Sequence, residues 1–65
     1  MLPLPAERQE IRKAAGVTQR ELARALGTSW TNVQRWEQGS RPRRHEDEIA
    51  YASLLAEMQR AAPAP

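Results

Sequence analysis

The chain contains no cysteine. A disulfide framework, a thiolate zinc site and therefore a zinc finger are all excluded. Phenylalanine is absent too, the aromatics are two tryptophans and one tyrosine, and valine and isoleucine together number four. With so few β-formers and no alternating stretch, strand signals are missing. No apolar run approaches the roughly 18 residues that a membrane span needs. The segment Leu2–Pro5 is too short and too proline-broken for a signal peptide. Histidine occurs once, so no second ligand stands at metal spacing, and His45 reads as a helix-start residue. No serine has a base partner in the sequence, and the carboxylates read as helix-surface and first-turn residues. At 65 residues there is room for one domain. Such a core rarely supplies more than about 3–5 kcal/mol of net stability. A deep catalytic cleft or a separate sensing domain does not fit. The expectation is a cytoplasmic protein that is not an enzyme, with no cofactor, metal, small-molecule ligand or membrane partner.

What is present is arginine, unevenly placed. Between Gln19 and Arg44 six arginines stand against Glu21 and Glu37, a local balance of +4, while the rest of a chain of net charge +2 is mildly acidic. Nine of the ten basic residues are arginine, whose planar fork suits bidentate contacts to phosphate and guanine. One basic segment between acidic flanks points to a polyanionic partner on one face.

Helix signals are dense. Met1–Pro5 and Ala61–Pro65 read as disordered tails around a domain spanning 6–60. The first helix is expected over Ala6–Ala15, with Pro5 at its start, Gly16 as its stop, and Ile11, Ala14 and Ala15 as its stripe. The second is expected over Gln19–Leu26. There Thr18 and Glu21 form a capping box, Leu22, Ala23 and Leu26 face inward, and a left-handed Gly27 ends the helix. The third is expected over Trp30–Gln38, capped by Ser29 and stopped at Gly39. Val33 and Trp36 face its inner side. A step of ~100° per residue places Thr31, Gln34, Arg35 and Gln38 opposite, a face with no aliphatic side chain. The fourth is expected over Glu46–Arg60, where Glu46, Asp47 and Glu48 complement the helix dipole.

Two short helices joined by a tight glycine turn are the geometric content of a helix-turn-helix, here spanning 19–38. Ala23 has to be small where the two helices cross, Gly27 takes the turn, and Val33 and Trp36 close the wedge. Counted from Gln19, these fall at the fifth, ninth, fifteenth and eighteenth places. The segment Ile11–Arg41, IRKAAGVTQRELARALGTSWTNVQRWEQGSR, resembles the Cro/lambda-repressor-type helix-turn-helix family of phage and bacterial transcription regulators. The resemblance is carried by the R-x3-G-x-TQ-x-ELA run, the LGTS turn and the W-E-x-G-x-R end. It implies that the third helix is the recognition helix, inserted in the major groove, and that Gln19 holds a backbone phosphate. Arg12 and Glu37 resemble a family pair in which an arginine of the first helix bonds the glutamate ending the third. The chain departs from the family pattern at Pro42, which follows Gly39 sooner than usual.

The base-reading set is Trp30, Thr31, Gln34 and Arg35. Arginine pairs with guanine O6/N7, glutamine with adenine N6/N7, and the threonine methyl meets a thymine methyl. Two placements are open for Trp30: against sugars and thymine methyls, or folded over the core. The phosphate set is Gln19, Arg20, Asn32, Gln38, Arg41, Arg43 and Arg44, since a basic loop beside a recognition helix clamps the backbone.

The fourth helix carries two apolar groups. Ile49, Ala52 and Ala56 are expected inside, which leaves Tyr51, Leu54, Leu55 and Met58 as a second stripe with Leu55 at the boundary. In the family a fifth helix would help cover that stripe. Left in water it would form a patch of the kind that marks an interface, so a weak twofold dimer through it is expected, at least on DNA. The fold expected is all-α, a compact four-helix bundle around Ile11, Val17, Leu22, Leu26, Val33, Trp36, Ile49, Ala52 and Leu55. The function expected is operator binding to double-stranded DNA by a small Cro-like repressor. The alternatives are an antitoxin-type or plasmid regulator of the same fold and a protein-binding anti-repressor using the Tyr51/Leu54/Met58 stripe.

Overall fold

A computed structural model describes residues 2–61. Within them the chain forms four α-helices and no strand: α1 (Pro5–Ala14), α2 (Gln19–Leu26), α3 (Trp30–Glu37) and α4 (His45–Ala61). No helix among the described residues is long and apolar enough to cross a membrane.

Local chemistry sets the helix ends. At α2 the Thr18 hydroxyl accepts from the Glu21 amide (3.0 Å) and the Glu21 carboxylate accepts from the Thr18 amide (2.9 Å). Bonding of the Glu21 carboxylate to the Thr18 amide and hydroxyl, with Arg24 nearby, holds its pKa below the ordinary value. Gly27 ends the helix at φ 66°, where a side chain would be strained. The Thr28 amide then reaches back to the Ala23 carbonyl at 2.9 Å. Ser29 caps α3 by accepting from the Asn32 amide at 3.2 Å. The helix ends observed differ from those expected by one residue at most, which is ordinary end fraying.

The amino-terminal segment differs from the expected tail. Pro5 is the first residue of α1. Leu2 packs against the core, and the Pro3 carbonyl accepts from Arg8 Nε at 2.7 Å. The segment is held because a buried guanidinium needs carbonyl partners. Ala61 closes α4, and the rest of the expected carboxyl-terminal tail, 62–65, lies outside the described residues.

α2 crosses α3 as the helix-turn-helix wedge, and α1 lies against both α3 and α4. The core is Leu22, Ala23, Val33, Trp36, Tyr51, Leu55 and Met58, with Ile11, Val17, Leu26 and Leu54 packed around it. The expected orientation of α4 is corrected. Tyr51 and Leu55 are inside, at 0% and 1% exposure, and Ile49 points to solvent at 56%. Ala52 is half-buried and Ala56 exposed. The reason is area. A fully buried leucine or methionine is worth ~1.5–3 kcal/mol, whereas an alanine methyl is worth ~0.8 kcal/mol. The stripe Tyr51, Leu54, Leu55, Met58 has i, i+3, i+4, i+7 spacing and the larger side chains, so it takes the core. The Tyr51 ring lies 5.1 Å from that of Trp36, tilted by 39°. Tyr51, Leu55 and Met58 are therefore taken by this chain's own core and are not free for the twofold contact expected through them, while Leu54 is half-buried beside them.

Candidate nucleic-acid interface

The seam between α1 and α3 is built from charge. Arg12 grips Glu37 with two parallel bonds, Nε to Oε2 at 2.6 Å and Nη2 to Oε1 at 3.0 Å. Its remaining Nη1 donates to the Val17 carbonyl at 2.9 Å. Both side chains are buried, at 8% and 3% exposure. Burial raises the Glu37 pKa, but the bonds from Arg12 and Gln19 and the nearby positive charges more than offset it, so the carboxyl sits below its ordinary value. Arg8, which reads in the sequence as one more surface arginine, is also buried. Its Nη1 donates to the carbonyls of Trp36 (2.8 Å) and Ser40 (3.3 Å), tying the end of α3 to the loop that follows it. The signal for it is spacing. Arg8, Ile11, Arg12 and Ala15 fall on one helical stripe, so Arg8 shares the face of the paired Arg12.

From Glu37 the polar chain runs outward. Gln19 Nε2 donates to Glu37 Oε1 at 3.0 Å, and Trp30 Nε1 donates to Gln19 Oε1 at 3.0 Å. The Arg20 guanidinium lies over the Trp30 ring, 4.6 Å from its centroid. Trp30 is 42% exposed, which argues against the placement folded over the core and leaves the placement against sugars and thymine methyls. It is not folded into the core, and its one donor is already used. Gln19 and Arg20, expected at phosphates, are here the residues that hold Trp30.

The outward side of α3 carries Thr31, Arg35 and Gln38 exposed and Gln34 half-buried. Asn32 is half-buried and its Nδ2 donates to Thr28 Oγ1 at 2.9 Å, a strut across the turn. Beyond Gly39 the loop into α4 folds back beside this face. A cleft of about 650 Å³ is lined by Asn32, Arg35, Arg41, Arg43 and Arg44 together with Trp36, Ser40 and the acidic Asp47. Arg41 reaches Glu48 at 3.2 Å, an exposed pair. Arg43 and Arg44 are exposed, and among the described residues neither enters an ion pair. Arg35, of the expected base-reading residues, therefore lines one cleft with the loop residues Arg41, Arg43 and Arg44. Tyr51, Leu55 and Met58, expected at a dimer contact, are in the core instead.

Such a surface is suited to a regular polyanion. Its centre offers hydrogen-bonding side chains on a rigid helix, and its flank offers guanidinium groups that can pair with phosphate oxygens. Among the described residues no group of three or more metal-ligating side chains converges. A family model described as a helix-turn-helix domain matches residues 9–62. No curated protein and no solved structure matches the chain.

Proposed function

The chain belongs to the helix-turn-helix domain family, and on that premise we propose that it is a sequence-specific regulator of transcription, a small Cro-like repressor that lays α3 in the major groove of a double-stranded DNA operator. One observation carries this reading: the polar outward face of α3 is continuous with a cleft lined by four arginines. In this reading Arg35 reads guanine, Gln34 adenine and Thr31 a thymine methyl. Arg43, Arg44 and Gln38 hold phosphates beside the groove, with Arg41 joining them when it leaves Glu48. Gln19 retains a second Nε2 hydrogen for a phosphate oxygen, because only one is used on Glu37. Repression would follow from occlusion of the promoter in the cytoplasm.

A role as a protein-binding anti-repressor acting through α4 finds less support. It requires the Tyr51/Leu54/Met58 surface, of which Tyr51 and Met58 are buried. The outward face of α3 is also neither apolar nor acidic, as a protein-binding face would favour.

The test is selection of the full chain on random duplex DNA. A single enriched consensus whose specificity relaxes at one base pair in Arg35→Ala is expected. Binding that enriches no sequence above the pool would overturn the proposal.

A further inference from the structure

Trp30 opens α3, and the amino-terminal residues of a recognition helix are those that reach base edges. It is a large apolar side chain left 42% exposed. The other exposed large apolar residues, Leu4 and Ile49, lie at the start of α1 and on α4, so Trp30 is the one on the α3 surface. Its only hydrogen-bonding group is spent on Gln19 Oε1 at 3.0 Å. The Gln19 amide cannot turn over to release it. Its nitrogen donates to Glu37 Oε1 at 3.0 Å, and a flipped amide would set oxygen against carboxylate and NH₂ against the indole N–H. Arg12 holds that carboxylate in turn, at 2.6 Å. The Arg20 guanidinium covers the ring at 4.6 Å and steadies it by a cation–π contact. What the indole still offers is apolar carbon, rigidly held.

The major groove presents one apolar feature, the C5-methyl of thymine. Cytosine carries hydrogen at that carbon, and 5-methylcytosine carries the same methyl in the same place. We propose that Trp30 is a reader of the pyrimidine C5-methyl group, accepting thymine or 5-methylcytosine and rejecting uracil and unmodified cytosine. The proposal rests on the DNA-binding reading above and adds to it the chemistry of one contacted position. It also makes operator affinity responsive to cytosine methylation wherever a cytosine takes that position.

The test uses the full chain and the consensus from random-duplex selection. Each thymine of the consensus is replaced singly by deoxyuridine. At the most sensitive position the T·A pair is also replaced by C·G, with and without the cytosine 5-methyl. Deoxyuridine is expected to weaken binding about fourfold at the position Trp30 reads, the worth of one buried methyl-sized group. The 5-methyl on cytosine is expected to recover about the same factor. Trp30→Ala should bind the thymine and uracil duplexes equally while keeping its preference at the pair read by Arg35. The wild-type comparison stands even if that variant folds poorly. Uracil tolerated at every thymine, or a consensus without thymine, would sink this inference and leave sequence-specific DNA binding intact. Thymine over uracil discrimination that persists at every position in Trp30→Ala and is lost only in Thr31→Ser would leave Thr31 as the sole methyl contact and overturn it equally. Failure to enrich any sequence would instead remove the reading on which it rests.

Discussion

The arginines of α1 and those of α3 with its following loop are the same side chain in opposite use. Arg8 and Arg12 are buried and bonded on several sides, to the carbonyls of Pro3, Trp36, Ser40 and Val17 and to the Glu37 carboxylate. Arg35, Arg43 and Arg44 are exposed and enter no ion pair among the described residues. What separates the two groups is the supply of fixed acceptors. α1 has little apolar material of its own, so the stems of Arg8 and Arg12 fill its inner face while their forks collect carbonyls from the last turn of α3 and from the segments outside the helices. Among the described residues the outer group forms no ion pair with its own chain, although Asp47 lines the same cleft, and its forks are open to an acceptor from outside. Charge alone therefore does not mark a binding residue here; unspent hydrogen-bonding capacity does.

Removing an inner arginine should break the comparison most sharply. Arg12→Met leaves Glu37 buried and largely unpaired, an effect of about 3–5 kcal/mol. That is comparable with the whole stability expected of so small a core, and denaturant titration should find much of the protein unfolded. The same pair sets the acid limit. The Glu37 carboxyl is held below its ordinary 4.5, so its contribution is present above that pH and is lost as pH falls through the lower folded value. Acid titration of Glu37→Gln should lack this component; an unchanged profile would mean that the pair does not govern acid stability.

An outer arginine should act on binding only. Arg35→Ala is expected to cost ~1–3 kcal/mol of operator affinity and to relax one base pair, with no change in Tm. Arg43→Ala should weaken all duplexes alike and reduce the log–log salt slope by about one. Loss of stability in either variant would erase the distinction between the two groups.

Tyr51 sharpens the comparison from the other side, as a polar group in the core with no hydrogen-bond partner among the described residues. Its hydroxyl is buried without a hydrogen bond, so Tyr51→Phe should stabilise the fold by about 1 kcal/mol. Burial, aided by the Glu37 charge, pushes the phenol from 10.0 up to about 12. Its raised pKa favours the folded state below pH 10, and that advantage is lost as pH rises through about 12. Alkaline unfolding monitored by circular dichroism should move to higher pH in Tyr51→Phe.

The smallest effect belongs to Arg41, which stands between the groups. Its pair with Glu48 is exposed on the arginine side, so a double-mutant cycle on stability should give a coupling of ~0.2–1 kcal/mol. A larger coupling would place Arg41 with the structural arginines and withdraw it from the phosphates.

The helix-turn-helix was legible because its signals are local. Thr18, Glu21, Gly27 and Ser29 act within four residues of where they stand, and the wedge residues Ala23, Val33 and Trp36 follow from spacing across one turn. The orientation of α4 was not legible in the same way. Periodicity separates Tyr51, Leu54, Leu55 and Met58 from Ile49, Ala52 and Ala56, but which group meets α1 and α2 depends on a tertiary choice. Comparing the side-chain areas of the two stripes would have decided it. Arg8 was missed because a single charged residue on a short helix reads as surface until its partners, all backbone carbonyls, are brought together by the fold. The link from Glu37 through Gln19 to Trp30 was hidden for a related reason: it joins residues from two helices through side-chain amide orientation, which spacing does not encode.

Two indoles stand on α3 in contrasting surroundings. Trp36 is buried against Tyr51, and Trp30 is half-exposed with a guanidinium on its ring. An indole packed in apolar surroundings emits to the blue of one that meets water. The protein thus carries two intrinsic fluorophores on one short helix, one reporting the integrity of the core and the other the occupancy of the surface beside it. With Trp30 replaced by phenylalanine, emission follows unfolding alone. The difference between that signal and the parent's isolates the exposed indole, so folding and ligand arrival can be timed separately in a chain that needs no added dye.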